Sequence, residues 1–569
     1  MAAAFVLYAA LGSLNSWDRD FWAPEEPDFA AVVKEMNERM RGGDGWAWLF
    51  PTIGGEPYFE KPPLLYWCAL LSSRTTGLDP HFAYRLPVAM ACALGLAVTF
   101  WAGRRFFSER VAAGACLIQA SSYLQYHAAS WLLTDGIFAA AIAVAVASLG
   151  NASLWEPGSR RWTVIGWTSL GVAALSKSVL LAPVLALGPV LLLLLLKRGG
   201  PGIVREILGL RPLMGLGIYL CMVLPWYAVM FYKGGAEFFQ EHIVKQHFLR
   251  LADSFSHQQP FWYYLQTLGA DFLPWSPFLP LAVYYGKTHF RRPGPRFFTL
   301  WVLWIFVLLS CISSKQGKYL LPLWPALSLL VAAGFLDPER ESIWEGFLAE
   351  GLLKLVVWVM RVPLGVLVAC ATFWGFGWHS NLGLPAEWME HLNRSDLVFR
   401  WILVGLVGTG GLYGASYGVR GFLRLGDPAR AVACLGAAAL LSYGAASFAY
   451  GSLNEFKSAR RLCEEVAKAS QGHRLAIYGR PRAAVHFYST RDIRHLERIP
   501  SQEKNSEAET RLDEYIGGAE RVFVLMTAQD WEGLQKEFPK YRDGRLHTAL
   551  EGLRFGYHRA AVLLSNKKT

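Results

Sequence analysis

Long apolar runs, separated by short polar connections, make up most of the first 450 residues of the chain. Many runs approach the length of about 20 residues that an α-helix needs to cross a membrane. The pattern predicts about thirteen membrane-spanning helices and an all-α membrane domain over residues 1–453. The predicted spans are the N-terminus to Leu14, Tyr84–Phe106, Val111–Ala128, Leu132–Leu149, Thr163–Val179, Leu181–Leu196, Leu213–Tyr232, Tyr263–Tyr285, Phe297–Ser313, Leu320–Leu336, Val362–Trp378, Leu397–Tyr417 and Ala431–Tyr450. The first run is short for a span, so we expect the natural start a few residues upstream.

The hydrophobic pattern changes at about Asn454, after which short apolar segments alternate with amphipathic ones. Such alternation is typical of strands and helices that follow one another along the chain. It predicts a small soluble α/β domain over residues 454–569. The predicted strands are Leu475–Tyr478, Arg521–Met526 and Ala560–Leu564, and the predicted helices are Lys457–Lys468 and Gln529–Glu537.

Composition and the placement of charge agree with a membrane protein. Hydrophobic residues make up 53% of the chain and charged residues only 17%, whereas soluble domains carry roughly 25% charge. The formal net charge of +11 would suit nucleic acid, but the basic residues concentrate in short connections between predicted spans. Cytoplasmic loops of membrane proteins carry this excess of lysine and arginine, so we expect no nucleic-acid partner. The basic residues concerned include Arg104, Arg105, Arg110, Arg160, Arg161, Lys197, Arg198, Arg291 and Arg292.

The odd number of predicted spans, with the basic loops inside, places the C-terminal domain on the outer side of the membrane. The longer polar connections then lie outside as well, at residues 15–83, 233–262 and 379–396, together with the short loop 314–318. We therefore expect the chemistry of this protein on the outer face of the membrane.

The first outer connection, residues 15–83, holds two groups of charged residues. Glu25 and Glu26 follow a proline, and Glu60 and Lys61 follow Tyr58 and precede two prolines. The amphipathic stretches Ala30–Met40 and Leu64–Ser72 are too short to span the membrane and suit its surface. Helices there would hold the charged groups at the level of the lipid head groups, although a solvated acidic loop would show the same composition.

Further candidates lie at the outer ends of predicted spans. Asp135 stands where a helix begins, a position at which a carboxylate also caps helices. Lys177 ends a span, and lysines there often reach the interface for structural reasons. Lys315 and Lys318, followed by Tyr319, crowd a short outer loop against the positive-inside trend. An external cluster of lysines suits an anionic lipid head group.

The connection before Trp262 contains Glu241, His242, His247 and His257. Histidines with such irregular spacing are more often surface residues than metal ligands. A site in which Glu60 and His257 hold a divalent ion remains the alternative. The eight cysteines show no paired spacing, so we expect neither a disulfide framework nor a cysteine metal site.

Several short motifs occur in a fixed order along the chain. They are Pro24-Glu25-Glu26-Pro27, Tyr58-Phe59-Glu60-Lys61-Pro62, Arg85-Leu86-Pro87, Thr134-Asp135, Ser176-Lys177, Phe238-Phe239-Gln240-Glu241-His242, Pro260-Phe261-Trp262-Tyr263-Tyr264-Leu265, Leu273-Pro274-Trp275 and Ser314-Lys315 with Tyr319 through Pro325. Over most of its length the chain thus resembles the bacterial polyprenyl-phosphate-dependent transferases of the aminoarabinose-to-lipid-A type. These belong to the protein O-mannosyltransferase-like superfamily with the GT-C fold.

The resemblance implies an inverting glycosyltransferase of the bacterial inner membrane. It would move a sugar from undecaprenyl phosphate to lipid A or a related glycolipid, with the site and the C-terminal domain in the periplasm. Such enzymes need no cofactor, and a divalent cation (zinc or magnesium) bound by Glu60 and His257 is optional. The implied catalytic residues are Glu25, Asp135 and Lys61; Lys61, Lys177, Lys315, Lys318 and Tyr58 would bind the donor phosphate; Glu26, Glu60, Tyr319 and Glu241 would position the substrates.

The chain departs from the family pattern in the first motif. The family usually has Asp-Glu, then proline or threonine, a basic residue and tyrosine. Glu25 keeps the carboxylate on a longer side chain, Asp28 reverses a charge and Phe29 lacks a hydroxyl. These changes put the identities of donor and acceptor in question.

Three other functions fit part of the pattern. A lipid-linked sugar transporter also needs many spans, but transporters place their binding groups near the midplane, whereas these candidates cluster at outer span ends. An oligosaccharyltransferase is disfavoured because the C-terminal domain contains no Trp-Trp-Asp sequence. A protein O-mannosyltransferase, which would act on a protein hydroxyl, remains open because it shares the early carboxylates.

Overall fold

The computed structural model describes residues 2–14, 18–197, 202–249, 258–339, 343–359, 395–470, 472–478, 483–489, 494–496, 512–541, 544–554 and 560–567. The chain forms two compact units. The first comprises Met1–Trp17, Phe59–Leu78 and Arg85–Ala449, and the second comprises Asp18–Tyr58, Asp79–Tyr84 and Tyr450–Thr569.

The first unit is helical, as predicted, and the chain is a multi-pass membrane protein. Six stretches of the described residues are long and apolar enough to cross a membrane: Pro80–Phe106, Thr134–Leu154, Gly202–Lys245, Pro293–Cys311, Gly317–Leu336 and Pro428–Leu453. The total of thirteen stays a prediction, and the predicted span Val362–Trp378 lies outside the described residues. The α-helices are Ala2–Leu14, Leu64–Thr76, Leu86–Phe106, Glu109–Ala120, Tyr123–Ser130, Thr134–Leu154, Arg160–Ser176, Leu181–Lys197, Gly202–Gly209, Pro212–Phe238, Tyr263–Asp271, Leu279–Thr288, Pro293–Cys311, Trp324–Leu336, Ile343–Val359, Ser395–Arg424 and Pro428–Ala449.

The helix Thr134–Leu154 lies at the centre of the first unit. It packs against Leu86–Phe106 and Arg160–Ser176, and nearly all of its residues are buried. Small residues allow this close approach, as is common between membrane helices. At Gly136, a β-carbon would come within 2.8 Å of the Val88 side chain on the helix Leu86–Phe106. The helix that carries Asp135 in its first turn is therefore packed along most of its length.

Two predicted spans are interrupted in the structure. The prediction of one helix over Tyr263–Tyr285 is wrong: the helix ends at Asp271, a 3₁₀ turn covers Ser276–Phe278, and a second helix begins at Leu279. Three prolines, Pro274, Pro277 and Pro280, lack the N–H groups that a continuous helix requires.

The predicted span Val111–Ala128 is also interrupted, at Ser121 and Ser122, between the helices Glu109–Ala120 and Tyr123–Ser130. The two serine hydroxyls accept hydrogen bonds from the indole N–H groups of Trp275 and Trp324, at 2.9 and 2.8 Å. Buried hydrogen bonds of this kind fix a turn within an apolar environment.

The second unit combines an early segment of the chain with the C-terminal residues. Its strands are β1 (Thr52–Ile53), β2 (Glu56–Pro57), β3 (Arg474–Tyr478), β4 (Arg494–Leu496), β5 (Val522–Thr527), β6 (His547–Arg554) and β7 (Ala560–Ser565); its helices are Glu26–Arg41, Pro80–Ala83, Asn454–Lys457, Arg460–Ser470, Ala483–Tyr488 and Ala528–Glu537. One sheet has the order β4-β3-β5-β7-β6, parallel for β4-β3-β5 and antiparallel elsewhere. The α/β character predicted for the C-terminal part of the chain is thus confirmed, with all three predicted strands present.

Polar contacts connect the early and late parts of the second unit. Lys34, on the helix Glu26–Arg41, donates to the carbonyl oxygens of His486, Phe487 and Ser489 at 2.9, 3.0 and 2.9 Å. These carbonyls end a short helix, where a lysine charge is favourable. The amphipathic stretch predicted at Ala30–Met40 is therefore one helix of this unit.

Asp513 gives the second unit a pH-dependent contribution to stability. Partial burial alone would raise the pKa of this carboxyl, but hydrogen bonds from Lys540 and Tyr541, with the charges of Lys540 and Arg545, lower it. A lowered folded-state pKa contributes stability above the unfolded pKa of about 3.9, which is lost as the pH falls through the folded value.

We therefore expect Asp513→Asn to destabilise the second unit by about 1–2 kcal/mol at pH 7. Limited proteolysis of the full chain at rising temperature measures the change. The difference from the wild type should shrink as the pH falls below about 3.9, and a difference that is equal at pH 3 and pH 7 would contradict this assignment.

Candidate functional site

A cavity of about 290 Å³ in the first unit collects most of the predicted charged residues. Glu60, Lys61, Asp135, Lys177, Lys318 and Tyr319 line it together with Ser178 and Ser314. The rest of its wall is apolar: Phe138, Leu180, Leu181, Val184, Leu185, Leu308, Leu309, Ile312 and Pro322. The cavity therefore has a charged part and a hydrocarbon part.

An ion pair between Asp135 and Lys177 forms the centre of the charged part. Their side chains hydrogen-bond directly and are only 7% and 15% exposed. Asp135 lies in the first turn of the helix Thr134–Leu154, where the helix dipole favours a negative charge. Lys177 ends the helix Arg160–Ser176, which packs along Thr134–Leu154. The packing of two helix ends thus places the pair, and Asp135 does more than cap a helix.

Further cations surround Asp135. The Lys177 ammonium lies 4.1 Å from the centroid of the Tyr319 ring, which the electron-rich face of the ring favours. The charges of Lys318 and Lys61 also act on Asp135. With three lysines against two carboxylates, the lining of this cavity carries a net charge of +1 from its ionisable side chains. An anionic group is therefore favoured here.

Lys315 is separated from Lys318 in the structure. It lines a second cavity with Phe261, Trp262 and Phe306, and its ammonium donates to the carbonyl oxygen of Gln259 at 3.0 Å. Burial lowers the pKa of this lysine. The two lysines that the sequence grouped together thus face different cavities.

Three predicted residues, Glu25, Glu26 and Tyr58, belong to the second unit. Glu26 is buried, pairs with Arg19 at 3.1 Å and accepts from the backbone N–H of Trp22. These contacts give Glu26 a structural task at the start of the helix Glu26–Arg41. Glu25 stands immediately before that helix, and its catalytic role stays a prediction.

The predicted metal site stays a prediction. His257 lies outside the described residues, and the part of the chain that the structure describes holds no group of three or more His, Cys, Asp or Glu side chains that could bind a metal ion. Glu60 lines the lysine-rich cavity, where a cation would meet three ammonium groups. Glu241 pairs with Lys245 one helical turn further on, at 2.9 Å.

Sequence reasoning identified the charged lining and missed the apolar lining. Leu181, Leu185 and Leu309 occur in long runs of similar residues. Nothing in those runs distinguishes a leucine that faces a cavity from one that faces lipid or another helix. Phe138 was detectable in principle, because it lies one helical turn after Asp135 and so shares its face.

Comparison with known proteins shows similarity to glycosyltransferases. Residues 7–246 match the family model described as dolichyl-phosphate-mannose-protein mannosyltransferase. The chain is 29% identical over 390 residues to an undecaprenyl phosphate-alpha-4-amino-4-deoxy-L-arabinose arabinosyl transferase of Edwardsiella ictaluri, covering 67% of each chain. It is 31% identical over 345 residues, 59% of each chain, to the protein of the same name from Pseudomonas aeruginosa. Against such curated relatives, the alignments thus span about 59–67% of the relatives' length.

Among solved structures, the crystal structure of ArnT from Cupriavidus metallidurans bound to undecaprenyl phosphate has a similar fold. The TM-score is 0.75 at 20% sequence identity, over 100% of this chain and 98% of the other. The apo form of the same protein gives 0.73. The GT-C fold predicted from the sequence is thereby confirmed.

Proposed function

We propose that this chain, which belongs to the ArnT-like family of GT-C transferases, is an inverting glycosyltransferase that uses a sugar linked to undecaprenyl phosphate. The donor sugar would be 4-amino-4-deoxy-L-arabinose, the sugar in the names of the relatives. The acceptor would be lipid A or a related glycolipid. The reaction would take place at the periplasmic face of the inner membrane, where the candidate residues were predicted.

The amphipathic lining of the first cavity is the observation that carries this proposal. A polyprenyl phosphate has an anionic head and a long hydrocarbon tail. Lys61, Lys177 and Lys318 suit the head, and the leucines of the helices Leu181–Lys197 and Pro293–Cys311 suit the tail. A soluble sugar nucleotide would gain nothing from the apolar wall, so the cavity favours a lipid-linked donor.

In the reaction, an acceptor oxygen attacks the anomeric carbon as the bond from that carbon to the phosphate oxygen breaks. The electron pair of the broken bond stays on the polyprenyl phosphate, which thereby gains negative charge. Preorganised cations in a site poor in water stabilise such developing charge. Lys61 is the proposed direct contact with the leaving phosphate, and Lys177 and Lys318 hold it in place.

Asp135 has two tasks in this scheme. Its pairing with Lys177 keeps that ammonium in one position, so that little reorganisation is needed when the phosphate charge develops. Its carboxylate also lies where it favours positive charge on the sugar, either the amino group or the anomeric carbon in the transition state. The ion pair is therefore a functional arrangement.

The task of Glu25 depends on the acceptor. A hydroxyl must lose a proton and needs a general base, whereas a phosphate of lipid A is already ionised near pH 7. We favour the phosphate acceptor. Glu25→Gln should then reduce transfer to lipid A only modestly, with little change in the pH profile between 5 and 7. With a hydroxyl acceptor, removal of the base should cost about 10²–10⁴ in rate.

Purified protein given matched phosphate and hydroxyl acceptors measures this difference. Glu25→Asp serves as the control, because it keeps the carboxylate and shortens its reach. If transfer occurs only to the hydroxyl acceptor and is abolished in Glu25→Gln, the assignment of a phosphate acceptor is wrong.

Mass spectrometry of lipid A from cells with and without the gene tests the proposed function itself. We expect aminoarabinose-modified lipid A only when the gene is present. Identical lipid A in the two strains, under conditions in which the donor lipid is made, would refute the proposal.

A further inference from the structure

A buried histidine forms a hydrogen bond with the backbone immediately before Glu60 and Lys61. The carbonyl oxygen of Phe59 accepts a hydrogen bond from Nδ1 of His242 at 2.5 Å. His242 is fully buried, and its Nε2 lies 3.0 Å from the hydroxyl of Tyr227. Since a carbonyl only accepts, Nδ1 carries the proton, and the neutral ring then accepts at Nε2 from Tyr227.

The surrounding side chains fix the ring of His242 and the side chain of Phe59 together. His242 stacks on Phe238 with ring centroids 5.0 Å apart and an angle of 12°. Phe59 meets the same Phe238 edge-on at 5.5 Å. A β-carbon at Gly234 would come within 2.9 Å of the Phe59 ring, so the Phe59 ring packs closely on the backbone of this glycine. Both the side chain and the carbonyl of Phe59 are thus constrained.

The backbone around His242 is unusual in a way that supports a special role. The helix Pro212–Phe238 is interrupted at Gly235, whose φ of 52° is tolerated by glycine. The chain then continues as a π-helix over Phe239–Leu249. Extended π-helices are rare, and their turns occur frequently at functional sites. This conformation, and not a regular helix, places His242 against Phe59.

We propose that His242 is a positioning residue that sets the Glu60–Lys61 segment in the lysine-rich cavity. The inference rests on the proposed function and extends it. Lys61 follows Phe59 by two residues, so rotation of the peptide group after Phe59 would displace its ammonium. Displacement by about 1 Å can cost on the order of 10²-fold in rate. His242 itself lies outside the set of residues that line the cavity and acts through Lys61.

The test compares His242→Phe, which keeps an aromatic ring, with His242→Asn, whose amide N–H can replace Nδ1–H. We expect His242→Phe to lower the turnover number by about 10-fold or more, and His242→Asn to restore most of it. Tyr227→Phe removes only the contact to Nε2 and should have a smaller effect. If His242 merely fills space, His242→Phe should keep a higher turnover number than His242→Asn, because asparagine fills the site less well.

A double variant shows whether the effect passes through Lys61. The rate of Lys61→Ala/His242→Phe should equal that of Lys61→Ala within about twofold, since the effects of residues that act through one shared task are not additive. If the rate losses of the two single variants multiply in the double variant, the inference is overturned.

A second measurement is the dissociation constant for undecaprenyl phosphate. It can be made without knowing the sugar or the acceptor.

We expect His242→Phe to weaken this lipid binding by about tenfold, in line with a misplaced Lys61. If the wild type transfers the sugar normally and His242→Phe shows the same lipid binding and turnover number, the role of His242 is overturned and the proposed function stays intact. Normal lipid binding without sugar transfer in the wild type would overturn the proposed reaction and leave the role of His242 testable by binding. Absence of lipid binding in the wild type would overturn both.

Discussion

Lys61→Ala should lower the rate of sugar transfer by about 10²–10³-fold, with normal amounts of folded protein in the membrane. Loss of a single preorganised group that stabilises developing negative charge typically has this effect. Lys61 lines the amphipathic cavity together with the Asp135–Lys177 pair, and its charge acts on Asp135. Because three ammonium groups are proposed to bind the donor phosphate, loss of one of them should weaken both donor binding and leaving-group stabilisation.

The measurement is transfer by purified protein at saturating and at limiting donor. Lys468→Ala is a matched control, because this lysine is 73% exposed on the second unit and pairs with Glu465, three residues earlier. It should leave the rate unchanged. Wild-type activity in Lys61→Ala would remove Lys61 from the site.

Asp135→Asn should reduce both stability and transfer, because it leaves the Lys177 ammonium buried without its partner. Removing one member of a buried ion pair typically costs about 3–5 kcal/mol. Replacing both members by uncharged residues, as in Asp135→Asn/Lys177→Met, avoids the unpaired charge. The double variant should therefore recover most of the stability and none of the activity.

Thermal unfolding in detergent and the transfer rate of the same preparations separate the two effects. If the double variant recovers both transfer and stability, the Asp135–Lys177 pair has only a structural role. A double variant no more stable than Asp135→Asn would show that the pair does not behave as a buried ion pair.

The sequence predicts the helical membrane part and the α/β part well, because spans and buried strands leave regular hydrophobic patterns. It also singles out Lys61, Asp135, Lys177, Lys318 and Tyr319, which the structure brings together in the lining of one cavity. It does not predict the break after Asp271, because apolar runs continue across Pro274.

The sequence also groups Lys315 with Lys318, although the structure places them in different cavities. The irregular backbone at Lys315 and Gln316 leads into a 3₁₀ helix that begins at Gly317, so hydrophobic periodicity carries no information about side-chain direction there. His242 was visible in the sequence as part of a motif, but its partner, the carbonyl of Phe59, is 183 residues away. Backbone acceptors leave no trace in side-chain patterns.

The central claim is that the lysine-rich cavity holds the phosphate of a polyprenyl donor. An experimental structure of the protein with undecaprenyl phosphate tests it most directly. We expect the phosphate among Lys61, Lys177 and Lys318 and the first isoprene units along Leu181, Leu185 and Leu309. A phosphate bound beside Lys315 in the second cavity, with the first cavity empty, would contradict the account.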